Sequence, residues 1–430
     1  MEWRPLVHRA MDEEAMCNTV ADWIVSAIPQ AWRDASGSGR SAIRKVRSHA
    51  EYERWYPSFA NTGLAVATWP WEYVGADLSR DQARLVEELL APYNLGRLNP
   101  LGLNSAAPAL FAHGSAEQRA RFLPGLVRNE EKWCQLLSEP GSGSDLASLS
   151  TAAIRDGDEW VLTGQKVWTT WAHFSDFAVC LARTDPHVEK RAGMTYFIVD
   201  LHAPGVTIRP LRHLGGEVDF NEVFLDCVRV PDFNRIGGVG DGWRVARSTL
   251  AGERQMVAGA GSGGVDRIGG AGATRLLARA RELHRAADVD VRQRLVGVYS
   301  EERIREWTNL RVRGAVAAGG TPGAAASIGK VHQGGLNQRA QMLASDLLSV
   351  HAMAWEVGVH GGDLGSSAVA PESYAAALPF EVSGMLRSRA NTIEGGTTEI
   401  NKTILAERVL GLPREPDPFD GVAWNQVPRS

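Results

Sequence analysis

The sequence predicts an α+β protein in three parts: an N-terminal helical domain (1–131), a central antiparallel β-barrel domain (132–240) and a C-terminal helical bundle (241–413), followed by an irregular tail (414–430). Three observations predict this. Apolar residues recur at spacings of three and four through the first 130 residues. From Lys132 to about Gly240 the chain turns to short alternating runs cut by Asp, Gly and Pro. After Gly237-Gly238-Val239-Gly240-Asp241-Gly242 the long helical periods return.

In the first part the helical period is clearest in Ala21-Asp22-Trp23-Ile24-Val25 and in Ala83-Arg84-Leu85-Val86-Glu87-Glu88-Leu89-Leu90. Trp69-Pro70-Trp71-Glu72-Tyr73-Val74-Gly75 reads as a loop, because Pro and Gly interrupt the period. Strands are expected at Trp160-Val161-Leu162-Thr163, Phe177-Ala178-Val179-Cys180-Leu181-Ala182 and Thr195-Tyr196-Phe197-Ile198-Val199-Asp200, with a turn at Arg155-Asp156-Gly157-Asp158. Several strands at such close intervals make a small antiparallel barrel or sandwich. Arg294-Leu295-Val296-Gly297-Val298-Tyr299 and Gln341-Met342-Leu343-Ala344-Ser345-Asp346-Leu347-Leu348 belong to bundle helices. The Gly-rich stretches 317–323 and 361–365 read as interhelical loops, and the chain from Pro413 as irregular.

With 430 residues, 44% of them hydrophobic and 22% charged, the chain can fill the cores of two or three domains. A net charge of -4 and the lack of a basic run interleaved with aromatics argue against nucleic acid as a partner. The cysteines, Cys17, Cys134, Cys180 and Cys227, form no CxxC pair and read as free thiols in a reducing, cytoplasmic setting. The N-terminus is too acidic for a transit peptide, and no apolar run is long enough for a membrane span. The histidines lack zinc-ligand spacing, so no metal is expected, and His173 reads as a surface or hydrogen-bonding residue. Gly259-Ala260-Gly261-Ser262-Gly263-Gly264 follows a helical pattern instead of a strand, and Gly329-Lys330 has the wrong spacing for a P-loop.

Two segments carry the chemistry. Trp133-Cys134-Gln135-Leu136-Leu137-Ser138-Glu139-Pro140-Gly141-Ser142-Gly143-Ser144-Asp145 is a strand followed by a small-residue turn, whose amides and hydroxyls suit a ring carbonyl and a pyrophosphate. Gly164-Gln165-Lys166-Val167-Trp168-Thr169-Thr170 ends a strand with an indole and two hydroxyls suited to a planar redox ring. Standing alone, the first is an ordinary strand and Gly/Ser turn. Together the two point to FAD.

With these motifs, the helix–strand–helix plan resembles the acyl-CoA dehydrogenase family, flavoenzymes that oxidise an acyl thioester between its α and β carbons. The resemblance extends to the loop at 69–75, similar to the family's P-x-E-Y-G-G, to Asn221-Glu222-Val223-Phe224-Leu225-Asp226-Cys227-Val228-Arg229-Val230-Pro231, to the hinge Gly240-Asp241-Gly242-Trp243, and to Arg387-Ser388-Arg389-Ala390-Asn391-Thr392-Ile393-Glu394-Gly395-Gly396-Thr397-Thr398-Glu399-Ile400. It implies a four-helix bundle as the C-terminal domain. It also implies FAD contacts at the backbone of Leu137 and Ser138, at Gly143 and Ser144, and at Trp168, Thr169 and Thr170, with Thr170 facing the flavin N5 and Trp168 covering the ring. Thr397 and Glu399 fall where the family reaches the diphosphate and ribose side of the cofactor. Ser144, Arg254, Gly395 and Gly396 fall on the substrate side, the Gly395 or Gly396 amide binding the thioester carbonyl.

The family's base is a carboxylate that removes the α-proton, which requires burial and the bound thioester to raise its pKa towards neutrality. In many members this Glu directly precedes the Gly-Thr near the C-terminus, where this chain has Gly395. Glu253 and Glu394 are the two candidates. Glu253, in Leu250-Ala251-Gly252-Glu253-Arg254-Gln255-Met256, resembles the base of the branched-chain and long-chain subgroup, whereas the one-residue shift to Glu394 would turn that side chain away. The resemblance therefore favours Glu253, against the plain alternative of a helix-start Glu that pairs with Arg254. The family's Arg followed by Phe-Gly has no match in Ala278-Arg279-Ala280-Arg281-Glu282-Leu283-His284-Arg285-Ala286-Ala287-Asp288, which bears on the intersubunit grip on FAD.

The function implied is α,β-dehydrogenation of a CoA or carrier-bound acyl thioester by a homodimer or homotetramer, with an electron-transfer flavoprotein as acceptor. Two alternatives are a flavin oxidase or monooxygenase of the same fold and a non-catalytic subunit of a heteromeric enzyme. Small residues at Ala251, Gly252, Ala258 and Gly259 leave room for a branched or bulky acyl group.

Overall fold

A computed structural model describes residues 3–36, 40–257, 271–318, 320, 326–353 and 378–428; within these ranges the side chains of 40, 41, 44, 251–257, 313, 316, 317 and 326 lie outside the described part. The chain divides into two units by contact. The first comprises Met1–Leu137, Ser150–Thr207 and Val223–Thr249, the second Ser138–Leu149, Ile208–Glu222 and Leu250–Ser430.

Four of the N-terminal helices start where a side chain satisfies a free amide. Glu13–Ala27 is capped by Asp12, which accepts from the Ala15 amide, and buries Met16, Val20 and Ile24 at helical spacing. His49–Ala60, Arg80–Leu90 and Ala116–Arg128 each begin with a reciprocal capping box, formed by Ser48 with Glu51, Ser79 with Gln82 and Ser115 with Gln118. The segment 69–75 is a tight loop around a single 3-10 turn, Trp71–Tyr73. An added Cβ at Gly75 would lie 2.0 Å from the Trp69 carbonyl oxygen, so only glycine closes this loop.

Eight strands follow: β1 (Trp133–Leu136), β2 (Ala152–Asp156), β3 (Glu159–Thr170), β4 (Phe177–Arg183), β5 (Met194–Asp200), β6 (Val206–Leu211), β7 (Phe220–Pro231) and β8 (Arg235–Ile236). They are ordered β6-β7-β3-β2-β4-β5-β8, with β1 beside β4. The β2–β3 and β4–β5 pairs are antiparallel, as the turn at Gly157 (φ 66°) and the alternating runs lead one to expect. β1 joins β4 in parallel, placing Leu136 opposite Cys180. Between β1 and β4 run the turn 138–149 and the whole β2–β3 hairpin, and a connection of that length permits parallel pairing where a two-residue hairpin does not. β4 is buried from Ala178 to Arg183, the near-continuous apolar run of a strand covered on both faces.

Helices return with Gly242–Val257, Ala273–Glu282, Val289–Ala317, Ala326–Leu347, Phe380–Ser388 and Thr398–Arg408. Leu276, Ala280, Val291, Leu295, Leu336, Ala340 and Leu343 form the core that joins three of them. The glycine stretches 259–264 and 361–365 lie outside the described residues, as do residues 319 and 321–323 of the loop at 317–323. Past Gly411 the chain is irregular until a 3-10 turn at Trp424–Gln426. There the buried Trp424 indole donates to the Ser148 carbonyl oxygen (3.3 Å). Among the described residues, no helix is long and apolar enough to cross a membrane.

Candidate functional site

Within the first unit, Lys166 ties the two chemical motifs together. Its side chain is fully buried, and Nζ donates to the Leu137 carbonyl (3.0 Å) and to the Leu181 carbonyl (2.8 Å). A buried ammonium is tolerated only when its donors are used. Here they fix the chain just past β1 against β3 and β4.

The end of β3 then separates its side chains by face. Trp168 is 56% exposed, Thr169 is 2% exposed and Thr170 is half-buried. Trp168 also takes a left-handed backbone conformation (φ 59°), uncommon for a non-glycine residue. The distortion leaves the indole in the open at the cost of backbone strain, and such strain gathers at functional positions. The Thr169 Oγ1 is buried with no hydrogen-bond partner among the described residues. With Trp171 (40% exposed) and Phe174 (64%), three large aromatic side chains are exposed within seven residues. A patch of this kind marks a ligand or partner surface.

In the second unit the turn after Leu137 is held by paired backbone hydrogen bonds between Glu139 and Ser142 (both 3.0 Å) and by Ser142 Oγ donating to the Asp145 carbonyl (2.7 Å). Ser138 is half-buried, whereas Gly143 and Ser144 are exposed. An added Cβ at Gly141 or Gly143 would meet nothing within 4 Å, and neither glycine has a left-handed φ. The fold itself does not require glycine there; what the glycines provide is bare backbone for close approach. In the first unit an exposed indole two residues before a hydroxyl is the kind of group a flavin ring needs; in the second, a turn of glycine and serine backbone is the kind a diphosphate needs.

Thr397 caps the helix Thr398–Arg408, its Oγ1 accepting from the Ile400 amide (3.1 Å), and Glu399 lies in the first turn. This leaves first-turn amides for an anion. Gly395 and Gly396 both have positive φ (64° and 84°). The Glu394 carboxylate just before them is committed: one oxygen accepts from Arg387 (2.9 Å), the other from Asn391 Nδ2 (2.7 Å). Glu253 and Arg254 lie in the helix Gly242–Val257, but their side chains are outside the described residues. One turn ahead of Glu253, the buried Thr249 accepts from the Tyr196 hydroxyl (2.8 Å) and donates to the Ser105 carbonyl (3.2 Å), which fixes where the helix runs.

Other clusters offer different chemistry. His213, Glu217 and Asp219 bring ligand atoms within 4.8 Å of one another. The Gly215 amide donates to His213 Nδ1 (3.0 Å), so the neutral ring carries its proton on Nε2, towards the carboxylates. A metal-bound histidine has the reverse arrangement, donating from its other nitrogen. Arg279 is paired with Glu282 (3.0 Å) and Glu381 (3.2 Å). A cavity of about 610 Å³ lined by Trp3, Arg4, His8, Arg9, Trp71 and their neighbours contains none of the flavin-motif residues. The Gln118 side chain and the Lys166 anchor were not anticipated from sequence, though both lie in legible patterns: Gln118 completes a capping box and also reaches the carbonyls of Phe233 (2.5 Å) and Arg235 (2.9 Å).

Comparison with known proteins agrees over most of the chain. Family models match as the acyl-CoA dehydrogenase N-terminal domain over residues 12–130, the middle domain over 134–228 and the C-terminal domain over 240–410. The acyl-CoA dehydrogenase FadE34 of Mycobacterium tuberculosis is 40% identical over 375 residues, 87% of this chain. The chain spans only about half (48%) of FadE34. The acyl-CoA dehydrogenase IpdE1 of the same organism is 34% identical over 411 residues, 94% of this chain and 99% of that protein. Among solved structures, the Tcur3481-Tcur3483 steroid ACAD matches with TM-score 0.67 and 25% identity, covering 94% of this chain and 100% of that one. The ChsE4-ChsE5 complex of M. tuberculosis matches with TM-score 0.65 and 25% identity over 95% and 100%. The chain belongs to the acyl-CoA dehydrogenase family, a family of oxidoreductases.

Proposed function

We propose that this chain is an FAD-dependent dehydrogenase that converts an acyl-CoA, or a carrier-bound acyl thioester, into its α,β-enoyl thioester. The observation that carries the reading is the strained end of β3, which exposes the Trp168 indole beside the Thr170 hydroxyl while Lys166 fixes the chain at Leu137. When bound, FAD would supply the hydride acceptor for the β-carbon. Trp168, Thr169 and Thr170 would orient the ring, and the Leu137–Ser138 backbone with Gly143 and Ser144 would hold the ring edge and diphosphate. Thr397 and Glu399 would take the ribose and diphosphate side.

Glu253 receives the α-proton on its carboxylate, with Arg254 ordering the mouth of the substrate site. The amides of Gly395 and Gly396 polarise the thioester carbonyl, and Ser144 contributes to the substrate side. Both oxygens of Glu394 already accept hydrogen bonds, which favours Glu253 as the base. Two relatives support a branched or ring-bearing acyl group: a steroid ACAD, and cyclohexane-1-carbonyl-CoA dehydrogenase of Syntrophus aciditrophicus, 30% identical over 209 residues. Electrons leave to an electron-transfer flavoprotein, and the working form is a homodimer or homotetramer in the cytoplasm.

The test is anaerobic mixing of the purified protein with thioesters of graded length, branching and ring content. A thioester of the right class bleaches the flavin, and Glu253→Gln slows bleaching by about 10²–10⁴-fold. Absence of bleaching by every thioester would refute the chemistry; an unimpaired Glu253→Gln would refute the base. Steady peroxide release or oxygen insertion would instead indicate an oxidase or monooxygenase.

A second reading has its own support. The chain matches about half of FadE34, and both solved relatives above are named for two proteins, one of them as a complex. On that reading this chain is one subunit of a heteromeric enzyme, and it purifies colourless unless its partner is co-expressed.

A further inference from the structure

The Gly395–Gly396 turn is held by a side chain that no motif identifies. Asn401, in the helix Thr398–Arg408, is fully buried, and its Nδ2 donates to the carbonyls of Gly396 (3.1 Å) and Thr397 (2.9 Å). The amide orientation is forced, because the flipped side chain would set Oδ1 against two carbonyl oxygens. Nδ2 also lies 3.1 Å from where a Cβ on Gly396 would sit. Through these two carbonyls the side chain restrains the peptide planes on either side of Thr397, directly after Gly396 with its left-handed φ of 84°.

The other flank is fixed as well. Arg387 and Asn391 hold Glu394, Asn337 Nδ2 donates to Asn391 Oδ1 (2.5 Å), and the buried Lys330 donates to the Asn391 carbonyl. The two glycines are the flexible link between rigid supports, and Asn401 is the support nearest the second of them.

The energetics point beyond a purely structural role. The Asn401 Oδ1 is buried with no hydrogen-bond partner among the described residues. An orphaned acceptor offsets much of what two neutral hydrogen bonds contribute. The Thr397 carbonyl, moreover, already accepts the Asn401 backbone amide (3.0 Å). Asn401 thus adds little stability while restricting one turn of backbone.

We propose that Asn401 is a positioning residue that keeps the Gly395–Gly396 amides aimed at the thioester carbonyl. The inference rests on the reading that those amides polarise that carbonyl. It acts through the backbone, by preorganising donors before charge develops.

The experiment uses the FAD-loaded protein and acetoacetyl-CoA, a β-keto thioester whose enolate is seen by its near-ultraviolet absorbance. Enolisation of the bound probe is titrated against pH in wild type, Asn401→Ala, Asn401→Asp and Asn401→Gln, alongside flavin content and melting temperature. Wild type should enolise the probe at lower pH than free solution does. Asn401→Ala and the isosteric Asn401→Asp should retain flavin yet hold about tenfold less enolate at a given pH, with a similar fall in kcat and little change in KM. Asn401→Gln, which keeps the donor amide, should recover part of the loss.

If wild type does not shift enolisation, the carbonyl reading itself fails. If wild type shifts it and the Ala and Asp variants shift it equally, only the role of Asn401 fails. If both variants lose flavin or do not fold, Asn401 is a folding residue and the proposal is overturned.

Discussion

At the scale of single residues, Lys166 shows what a sequence conceals. It stands inside a legible motif, two residues before Trp168, but nothing in that pattern says that its ammonium is buried and shared between Leu137 and Leu181. Lys166→Met keeps the length of the side chain but removes the donor to two carbonyls, at a cost of about 1–3 kcal/mol. The variant is expected to melt several degrees lower and to lose FAD on dilution, followed by flavin fluorescence; unchanged flavin retention would show that the anchor does not govern the motif. Glu394 is the converse case, since sequence could name it as a candidate but not show its partners. Its pair with Arg387 is about one-third exposed on each side, so the bond is worth at most about 1 kcal/mol. Glu394→Gln should keep turnover within a few-fold of wild type, and a loss as large as that of Glu253→Gln would reverse the assignment of the base.

At the scale of elements, local signals were readable and non-local pairing was not. The β2–β3 hairpin follows from Asp156-Gly157, and helix starts follow from Ser with Glu or Gln three residues on. The parallel β1–β4 pair depends on residues more than forty positions apart, and no periodicity encodes that register. The same holds for the join between β3 and the segment before β8. There the Asp232 carboxylate accepts from Trp160 Nε1 (2.7 Å) and from Arg235 through both oxygens (2.8 and 2.9 Å). Arg235, and next the Trp160 donor, bring its pKa from 3.8 to about 2, against the opposing effect of burial. A carboxylate whose folded pKa is depressed stabilises the fold fully above its unfolded value, and this contribution is lost as pH falls through the folded one. The loss therefore spans the window from about 3.8 down to about 2. Because the side chain is 29% exposed, screening reduces the effect to about 1–2 kcal/mol. Asp232→Asn should lower stability by that amount at neutral pH and flatten the acid limb in that window, read from urea melts at stepped pH. An acid limb identical to wild type would place the acid-sensitive group elsewhere.

At the scale of the whole molecule, the family was legible because its ordered segments recur from residue 69 to residue 400, too many for coincidence, while the base was not, because its usual position holds Gly395. What no linear pattern conveys is the grouping by contact, in which 138–149 and 208–222 fall in the same unit as the C-terminal helices. The cysteines sample the fold at several depths and give a global check on it. Cys227 is exposed, Cys17 half-buried, and Cys134 and Cys180 buried in adjacent strands. Burial pushes the Cys134 thiol up to about 12, so that even a reagent that reached it would meet almost no thiolate at pH 8. Alkylation of the buried pair then requires opening of the β1–β4 ladder, and its rate reports the free energy of that opening. With iodoacetamide at pH 8 and mass spectrometry as readout, Cys227 should label first, Cys17 next, and Cys134 and Cys180 together, slower by orders of magnitude. Added denaturant should bring the last two forward in step, because one ladder protects both. If Cys134 labelled as fast as Cys227 under native conditions, the strand leading into the Leu137–Ser138 turn would not be held closed, and the geometry on which the flavin reading depends would be lost with it.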